Sequence, residues 1–261
     1  MDFGLKGKTA LVLAGGGGLG RAIAESLAHE GANIAVAGKG PDSIAATQAS
    51  LAAIGIKNLG LVWDLSDLNQ IDKNISNIER ELGPVDILVN NTGGPPPTTA
   101  SGQDPALWSK YFQAMVLSVI ATTDRVLPNM RARHWGRIIT SASSGVAAPI
   151  PNLAISNALR LSLLGWSKTL SREVAKDGIT VNVVLPGRIA TSRIKFLDEA
   201  KAKREGRTLE DVEAENTATI PAGRLGKPAE FGDVVAFLSS ERAAYITGSV
   251  VRVDGGMIPS I

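Results

Sequence analysis

The chain has 261 residues, of which 44% are hydrophobic and 20% are charged, a balance that is typical of globular proteins and excludes disordered, collagenous and coiled-coil chains. Lys plus Arg number 27 and Asp plus Glu number 25, without a long block of like charges, so we expect no nucleic-acid partner. The absence of Cys excludes disulfides, thiolate zinc sites and thiol nucleophiles.

No segment of the sequence predicts export or membrane insertion. Residues 1–8 lack an apolar stretch behind a basic start, and the chain contains no apolar run of about 18 residues. We therefore expect a cytoplasmic protein without a membrane partner.

Apolar runs that are typical of strands alternate along the chain with longer helical patterns. The predicted strands are residues 9–14, 33–37, 59–63, 86–90, 137–140, 179–185 and 249–253. The predicted helices are residues 20–29, 43–54, 68–82, 105–131, 152–175 and 228–239. Because runs such as residues 10–13 are apolar on both faces, helices should cover both sides of the sheet. The pattern predicts an α/β fold in three layers: a doubly wound parallel sheet of about seven strands, in one domain spanning residues 1–261.

A glycine-rich turn separates the first predicted strand from the first predicted helix. Gly15, Gly17 and Gly20 satisfy G-x-G-x-x-G in the strand–turn–helix context that a dinucleotide-binding (Rossmann) site requires. Glycines let the backbone approach a diphosphate and point helix N-terminal amides at its charge. We therefore predict that this turn, including Gly18 and Leu19, binds a dinucleotide; a flexible turn without a ligand is the alternative.

The second predicted strand ends without the acidic residue that usually accepts the ribose hydroxyls of NAD. Its place is taken by the sequence Ala-Gly-Lys-Gly, which contains Lys39. With no carboxylate to repel a 2′-phosphate, and with Lys39 and Arg21 to attract one, NADP(H) is favoured over NAD(H). The alternative for Lys39 is simple exposure to solvent.

Several ordered motifs make the chain similar to a known family. The glycine turn is followed by Asp64-Leu65, by Asn-Asn-Thr-Gly at residues 90–93, by Pro186-Gly187 and by Asp-Gly-Gly at residues 254–256. Together they resemble the short-chain dehydrogenase/reductase family over essentially the whole chain. Residues 136–139, 165–168 and 223–228, with Gly248 after them, resemble its 3-oxoacyl carrier-protein reductase branch.

The resemblance implies further cofactor contacts. Asp64 would approach the adenine, with Leu65 beside it, and Asn91 and Gly93 would lie on the side of the adenosine ribose. On the nicotinamide side the resemblance implies Pro186, Gly187, Ile189 and Thr191. A strand-exit turn is the alternative for Asn91 and Gly93, and a helix cap is the alternative for Asp64.

The chain departs from the family at the catalytic positions. The family uses a Ser, a Tyr-x-x-x-Lys pair and an Asn, and only the Ser is present here, as Ser143. Ser156 stands in place of the Tyr, Arg160 in place of the Lys, and Met115 in place of the Asn. The first glycine of the family pattern is also replaced, by Ala14.

These replacements change the chemistry that we expect. A serine hydroxyl is a poorer acid than a phenol, and a guanidinium does not act as a base because it stays protonated. We predict that Ser143, Ser156 and Arg160 polarise a substrate carbonyl, since positions 156 and 160 share a helix face.

A fixed guanidinium also suits a carboxylate or phosphate, so small anionic carbonyl or alcohol compounds are among the expected substrates. Arg188 and Arg193 are further candidates for contact with such an anion; a surface or interhelical salt bridge is the alternative for each. Tyr111 and Tyr245 are interpreted as packing residues.

Two longer segments suggest regulation and assembly. Residues 198–215, inside a charged segment at about residues 190–220, are predicted to form a solvated helical flap; an exposed helix without a gating role is the alternative. The helix predicted at residues 152–175 is apolar nearly all round, so it should be buried on two sides. The sheet covers one side, and a second subunit is expected on the other, as the resemblance also implies through the family's tetramers; a neighbouring helix of the same chain is the alternative.

The sequence leads to one principal hypothesis and two alternatives. The first is an NADP(H)-dependent oxidoreductase of the short-chain type with a degenerate catalytic tetrad, which needs no metal. The second is a redox-inactive dinucleotide-binding sensor or subunit, and the third is a non-redox lyase or isomerase that uses the same pocket.

Overall fold

Seven parallel strands form one sheet in the computed structural model, which describes residues 2–260. The strands are β1 (Thr9–Leu13), β2 (Asn33–Gly38), β3 (Asn58–Val62), β4 (Ile87–Asn90), β5 (Gly136–Ser141), β6 (Ile179–Pro186) and β7 (Val250–Val253). Their order across the sheet is β3-β2-β1-β4-β5-β6-β7. Every residue of β1 and β5 is buried, as expected for strands that are covered on both faces.

Helices cover both faces of this sheet. They are α1 (Gly18–His29), α2 (Pro41–Ile54), α3 (Ile71–Leu82), α4 (Pro105–Phe112), α5 (Ser118–Ala132), α6 (Ala154–Val174), α7 (Ser192–Glu205), α8 (Leu209–Ala218) and α9 (Pro228–Ser239). One core layer contains Ile23 of α1 and Phe231 of α9. The other contains Ile75 of α3, Val126 of α5 and Leu170 of α6. The predicted three-layer, doubly wound parallel fold is therefore confirmed.

The order of the strands creates a crevice above the middle of the sheet. β1 pairs with β2 on one side and with β4 on the other, so the connections that leave β1 and β4 run in opposite directions. Ligands of doubly wound sheets bind at such a switch point, beyond the carboxyl ends of the strands. No helix within residues 2–260 has the length and apolar character needed to cross a bilayer.

Most predicted elements are present, and two boundaries differ for a backbone reason. β1 ends at Leu13 rather than at residue 14, because Ala14 has φ +47° and leaves the extended conformation. α6 begins at Ala154 rather than at residue 152, because Asn152 has φ +59°. Asn tolerates this left-handed region better than most residues.

The helix predicted over residues 105–131 is interrupted, so that prediction was wrong in detail. A π-helical segment, Gln113–Leu117, separates α4 from α5. Such segments widen one turn of a helix and frequently occur at functional sites. Here Met115, at the position of the family's Asn, lies inside it and is buried. Propensity gives no warning of the change, because all five residues are compatible with an α-helix.

The charged segment forms two helices, α7 and α8, but it is less solvated than predicted. Asp198 is only 3% exposed. Its carboxylate accepts hydrogen bonds from Arg188 Nη2 at 2.6 and 2.5 Å and from Asn216 Nδ2 at 2.8 Å. A buried ion pair therefore joins α7 to α8 and to the loop after β6, and the two helices are anchored by it.

Candidate active site

A cleft of about 1230 Å³ lies above the carboxyl ends of the central strands. It contains most of the residues that the sequence predicted for the site. The predicted residues that line it are Gly17, Gly18, Leu19, Lys39, Leu65, Asn91, Gly93, Ser143, Ser156, Arg160, Pro186, Gly187, Ile189 and Thr191. The predicted residues that do not line it are Gly15, Gly20, Arg21 and Asp64.

The glycine turn forms a cradle at the N-terminus of α1. A Cβ atom at Gly20 would lie 2.2 Å from the carbonyl oxygen of Ala14, so only glycine allows the helix to approach the strand so closely. Gly18 has φ +52°, in the left-handed region. No side chain caps the first turn of α1, so its amide N–H groups remain available to an anion.

Gly15 stabilises the turn and does not line the cleft. Its amide donates to Ala37 O at 2.9 Å, and a Cβ at this position would lie 2.9 Å from the side chain of Val36. Close packing against β2, not contact with the cleft, explains the need for glycine at this position. The cradle as a whole fits a dinucleotide diphosphate, because side chains would fill its space and nothing in its first turn satisfies the helix amides.

Lys39 and Asp64 form an ion pair at the edge of the cleft. Their Nζ and Oδ1 atoms are 2.9 Å apart, with 66% and 42% of the two side chains exposed. Asp64 also accepts hydrogen bonds from the amide and hydroxyl of Ser66. Partial burial raises the pKa of Asp64, but the hydrogen bonds from Ser66 and Lys39 outweigh burial and leave the pKa below its ordinary value. Asp64 thus organises a turn and holds Lys39.

Arg21, the second basic residue predicted near a 2′-phosphate, is oriented elsewhere. Its Nε donates to Glu25 Oε1 at 2.7 Å, one turn further along α1. Lys39 is therefore the predicted basic residue that lines this end of the cleft.

Asn91 links two walls of the cleft. Its side-chain amide donates to Leu13 O at 3.3 Å and to Ala14 O at 3.4 Å, which fixes the end of β4 to the start of the glycine turn. On the opposite wall, Thr191 lies so near the turn that a Cβ at Gly18 would be 3.7 Å from its methyl group. Gly187 allows its loop to pass Asp254, whose Cα would lie 2.5 Å from a Cβ.

The three predicted catalytic residues line one part of the cleft. Ser143 follows β5, and its Oγ accepts a hydrogen bond from the Gly145 amide at 3.0 Å, which leaves its own O–H free to donate. Ser156 and Arg160 lie one turn apart on α6 and are only 6% and 8% exposed. The structure therefore places two hydroxyls and one guanidinium around the cleft, as the spacing predicted.

Arg160 is held by backbone carbonyls. Its Nη1 donates to Ser141 O at 3.2 Å and its Nη2 donates to Thr92 O at 3.0 Å. Burial, together with the nearby charge of Arg193, lowers the pKa of Arg160 to about 10. At neutral pH the group is still a cation, so it can anchor and polarise but not accept a proton.

Two further residues, Tyr111 and Arg193, also line the cleft. Tyr111 packs against the cluster that contains Met115 and Leu159, as predicted, whereas Tyr245, also predicted to pack, is fully exposed, so that prediction was wrong.

The sequence named Arg188 and Arg193 as further anion contacts, with a salt bridge as the alternative. Both line the cleft, but the Arg188 guanidinium is paired with Asp198. Arg193, on the first turn of α7, donates to Pro95 O at 2.7 Å.

Comparison with known proteins identifies the family. A model described as enoyl-(acyl carrier protein) reductase matches residues 13–258. The 3-oxoacyl-(acyl-carrier-protein) reductase FabG of Escherichia coli strain K12 is 38% identical over 259 residues, covering 98% of this chain and 99% of that protein. The chain belongs to the short-chain dehydrogenase/reductase family. The resemblance drawn from its motifs is thereby confirmed.

Two further relatives support the same assignment. Nodulation protein G of Azospirillum brasilense is 36% identical over 253 residues, covering 96% of this chain and 98% of that protein. The structure of L-sorbose reductase from Gluconobacter frateurii, complexed with NADPH and L-sorbose, is 32% identical and superposes with a TM-score of 0.94 over the whole of both chains. This short-chain family member is an oxidoreductase that acts on alcohol or ketone groups, and the comparisons do not support the redox-inactive or lyase alternatives.

Proposed function

We propose that this short-chain oxidoreductase uses NADP(H) to reduce a ketone, or to oxidise the corresponding alcohol, of a small molecule. The observation that carries the proposal is one cleft that contains both the glycine cradle and the group Ser143, Ser156 and Arg160. Homologous structures with bound NADPH, such as the L-sorbose reductase, support a nicotinamide cofactor.

Three parts of the cleft would each bind a different part of the cofactor. The cradle, with the free amides of α1, would hold the diphosphate. Lys39 would meet a 2′-phosphate at the end of β2, and Asp64 would position Lys39 for that contact. Asn91 keeps the cradle in register with β4. Pro186, Gly187, Ile189 and Thr191 line the wall assigned to the nicotinamide.

When bound, the cofactor supplies a hydride to the carbonyl carbon. The Ser143 hydroxyl, whose oxygen is already oriented by the Gly145 amide, donates to the carbonyl oxygen, and Ser156 donates beside it. The Arg160 charge stabilises the negative charge that develops on this oxygen. A proton then passes to the oxygen from a serine hydroxyl, which regains one from solvent. Because the chain lacks the family's phenol as a general acid, we expect its rate to be about 10²- to 10⁴-fold lower than that of a family member that has the phenol.

Steady-state oxidation of NADPH against a panel of ketones tests the proposal. We expect slow turnover by the natural chain and a further fall of about 10²-fold in kcat for Arg160→Ala. Arg160→Lys, which retains the charge if the alanine variant fails to fold, should keep part of the rate. Arg131→Ala, on the surface of α5, is the matched control and should not change it. Equal rates in the natural chain and both Arg160 variants would remove Arg160 from the mechanism.

The protein is further proposed to act as a cytoplasmic homo-oligomer. α6 presents Ala158, Leu161, Ser162, Gly165 and Thr169 to solvent, and 51% of the Leu161 side chain is exposed. A face of small and apolar residues on a 21-residue helix suits close packing against a second copy.

A further inference from the structure

Six basic side chains line the cleft, and they fall into two groups. Four form ion pairs with carboxylates: Lys39 with Asp64, Arg188 with Asp198, Lys201 with Glu215 and Arg204 with Glu205. The other two, Arg160 and Arg193, have no carboxylate partner within residues 2–260. These two are therefore the unbalanced charges of the site.

Both guanidinium groups are held in place and still have donors to spare. Arg160 uses two of its five N–H groups on the carbonyls of Ser141 and Thr92. Arg193 uses one on Pro95 O at 2.7 Å, and its guanidinium lies over the Phe196 ring, 5.6 Å from the centroid. Each guanidinium is thus fixed in place and keeps free N–H donors, an arrangement that suits a planar or tetrahedral anion.

The Arg193 charge also acts on Arg160. Burial comes first and the Arg193 charge second in lowering the pKa of Arg160, and burial lowers the pKa of Arg193 as well. Buried charges in proteins are ordinarily paired, because removal from water without a counter-ion costs several kcal/mol. Two guanidinium groups that line one cleft without a carboxylate partner therefore favour an anion bound from outside the chain.

The diphosphate cradle lies on another side of Arg193. The Arg193 guanidinium is directed at the loop after β4, where a Cβ at Gly94 would lie 3.1 Å from Nη2. The cradle, in contrast, is at the start of α1, beside Thr191. Arg193 thus reaches, from the side of the loop after β4, the cleft that Tyr111 and Arg160 also line.

We propose that Arg160 and Arg193 form a bipartite anion site, so that the substrate of this enzyme carries a carboxylate or a phosphate ester beside its carbonyl or hydroxyl carbon. This inference rests on the proposed function and specifies its substrate class. Arg160 stabilises the charge on the reacting oxygen and also binds the anion, whereas Arg193 binds only the anion. Arg193 is accordingly a specificity-determining residue.

Calorimetric titration with matched probes tests the proposal at constant ionic strength, with and without NADP⁺. Acetoacetate is compared with methyl acetoacetate, and dihydroxyacetone phosphate with dihydroxyacetone. We expect one anion to bind at least ten-fold more tightly than its neutral counterpart, since only the anion forms charge-assisted hydrogen bonds with the two guanidinium groups. The pair that shows the preference distinguishes a carboxylate from a phosphate.

Variants of Arg193 test whether this residue is responsible for the preference for the anion. Arg193→Gln should remove most of the preference for the anion, because only Arg160 remains to bind it, while the affinity for NADP⁺ and the melting temperature stay close to those of the natural chain. Arg193→Lys should keep more of the preference than Arg193→Gln. Arg80→Gln, at an exposed position on α3, should keep all of it. The proposal is overturned if neither anion is preferred, or if Arg193→Gln weakens NADP⁺ instead. Anion preference without any binding of NADP⁺ would overturn the proposed function but not the anion site.

Discussion

Ala14 holds a left-handed backbone conformation, φ +47°, at the start of the glycine turn. Left-handed geometry costs a non-glycine residue roughly 1–2 kcal/mol, and part of this is recovered through the lower entropy of Ala in the unfolded chain. The strain lies at the position where the family usually has glycine. It is tolerated because the Ala14 carbonyl is fixed by Asn91 and passes close to Gly20.

Ala14→Gly should therefore raise the free energy of unfolding by about 0.5–1 kcal/mol. Ala46→Gly makes the same chemical change in an exposed position inside α2 and should lower the free energy of unfolding by about 1 kcal/mol. Urea denaturation of the three proteins gives the comparison. A decrease for Ala14→Gly would show that the left-handed turn is not strained.

Lys39 should decide between the two nicotinamide coenzymes. Lys39→Ala is expected to raise the Kd for NADPH about ten-fold or more, because one charge-assisted contact with the 2′-phosphate is lost, and to leave the Kd for NADH unchanged. Fluorescence titration measures both constants. Lys57→Ala, at an exposed position before β3, is the control. An equal change for both coenzymes would contradict a 2′-phosphate contact.

Spacing along the chain was enough to predict some site residues and not others. Ser143 follows β5, and Ser156 and Arg160 lie on α6; all three stand at fixed distances from recognisable motifs, so register alone located them. The Lys39–Asp64 pair and the contacts of Arg193 depend on residues of separate elements, which no local pattern encodes. Arg21 is held by Glu25, four residues along the same helix, and this pair is within reach of helix periodicity.

At the scale of elements, α7 and α8 depend on the buried Arg188–Asp198 pair. The two side chains are 18% and 4% exposed, and Asn216 of α8 donates to the same carboxylate. Removing one member of a buried pair costs roughly 3–5 kcal/mol, because the other charge is left unpaired. The cost falls mainly on these two helices, since most of their remaining surface is polar.

Asp198→Ala should therefore increase hydrogen–deuterium exchange in residues 192–218 by at least about 10²-fold. It should also raise the KM of the substrate, because Thr191 and Arg193 precede this carboxylate on the same segment. Glu215→Gln, which disrupts only surface ion pairs, should leave exchange nearly unchanged. If both variants exchange alike, the buried pair does not anchor the helices.

The strands were easier to predict from the sequence than the helices. Each strand is a short apolar run between turns, and all seven were located to within one or two residues. The segment at residues 105–131 carries a continuous helical pattern, yet the structure changes to a π-helical turn at Gln113–Leu117. Packing of Met115 and Val116 against Ile155 and Leu159 accompanies that change, and such tertiary contacts have no periodic signal.

At the scale of the whole molecule, the outer face of α6 predicts self-association. Leu161→Asp should lower the molar mass of the assembly measured by size-exclusion chromatography with light scattering, because a charge would be buried at the contact. Val62→Asp is the matched control, since Val62 is 61% exposed on the edge strand β3. An unchanged mass for Leu161→Asp, or an equal loss in both variants, would contradict assembly through α6.

The proposed function depends on one cleft that contains both a diphosphate cradle and a group that polarises a carbonyl. Isothermal titration calorimetry of the intact protein with NADPH and NADH tests this claim most directly. The proposed function predicts one binding site per chain, with NADPH bound at least ten-fold more tightly than NADH through Lys39. The absence of measurable heat with either coenzyme, in a protein that melts cooperatively, would contradict it.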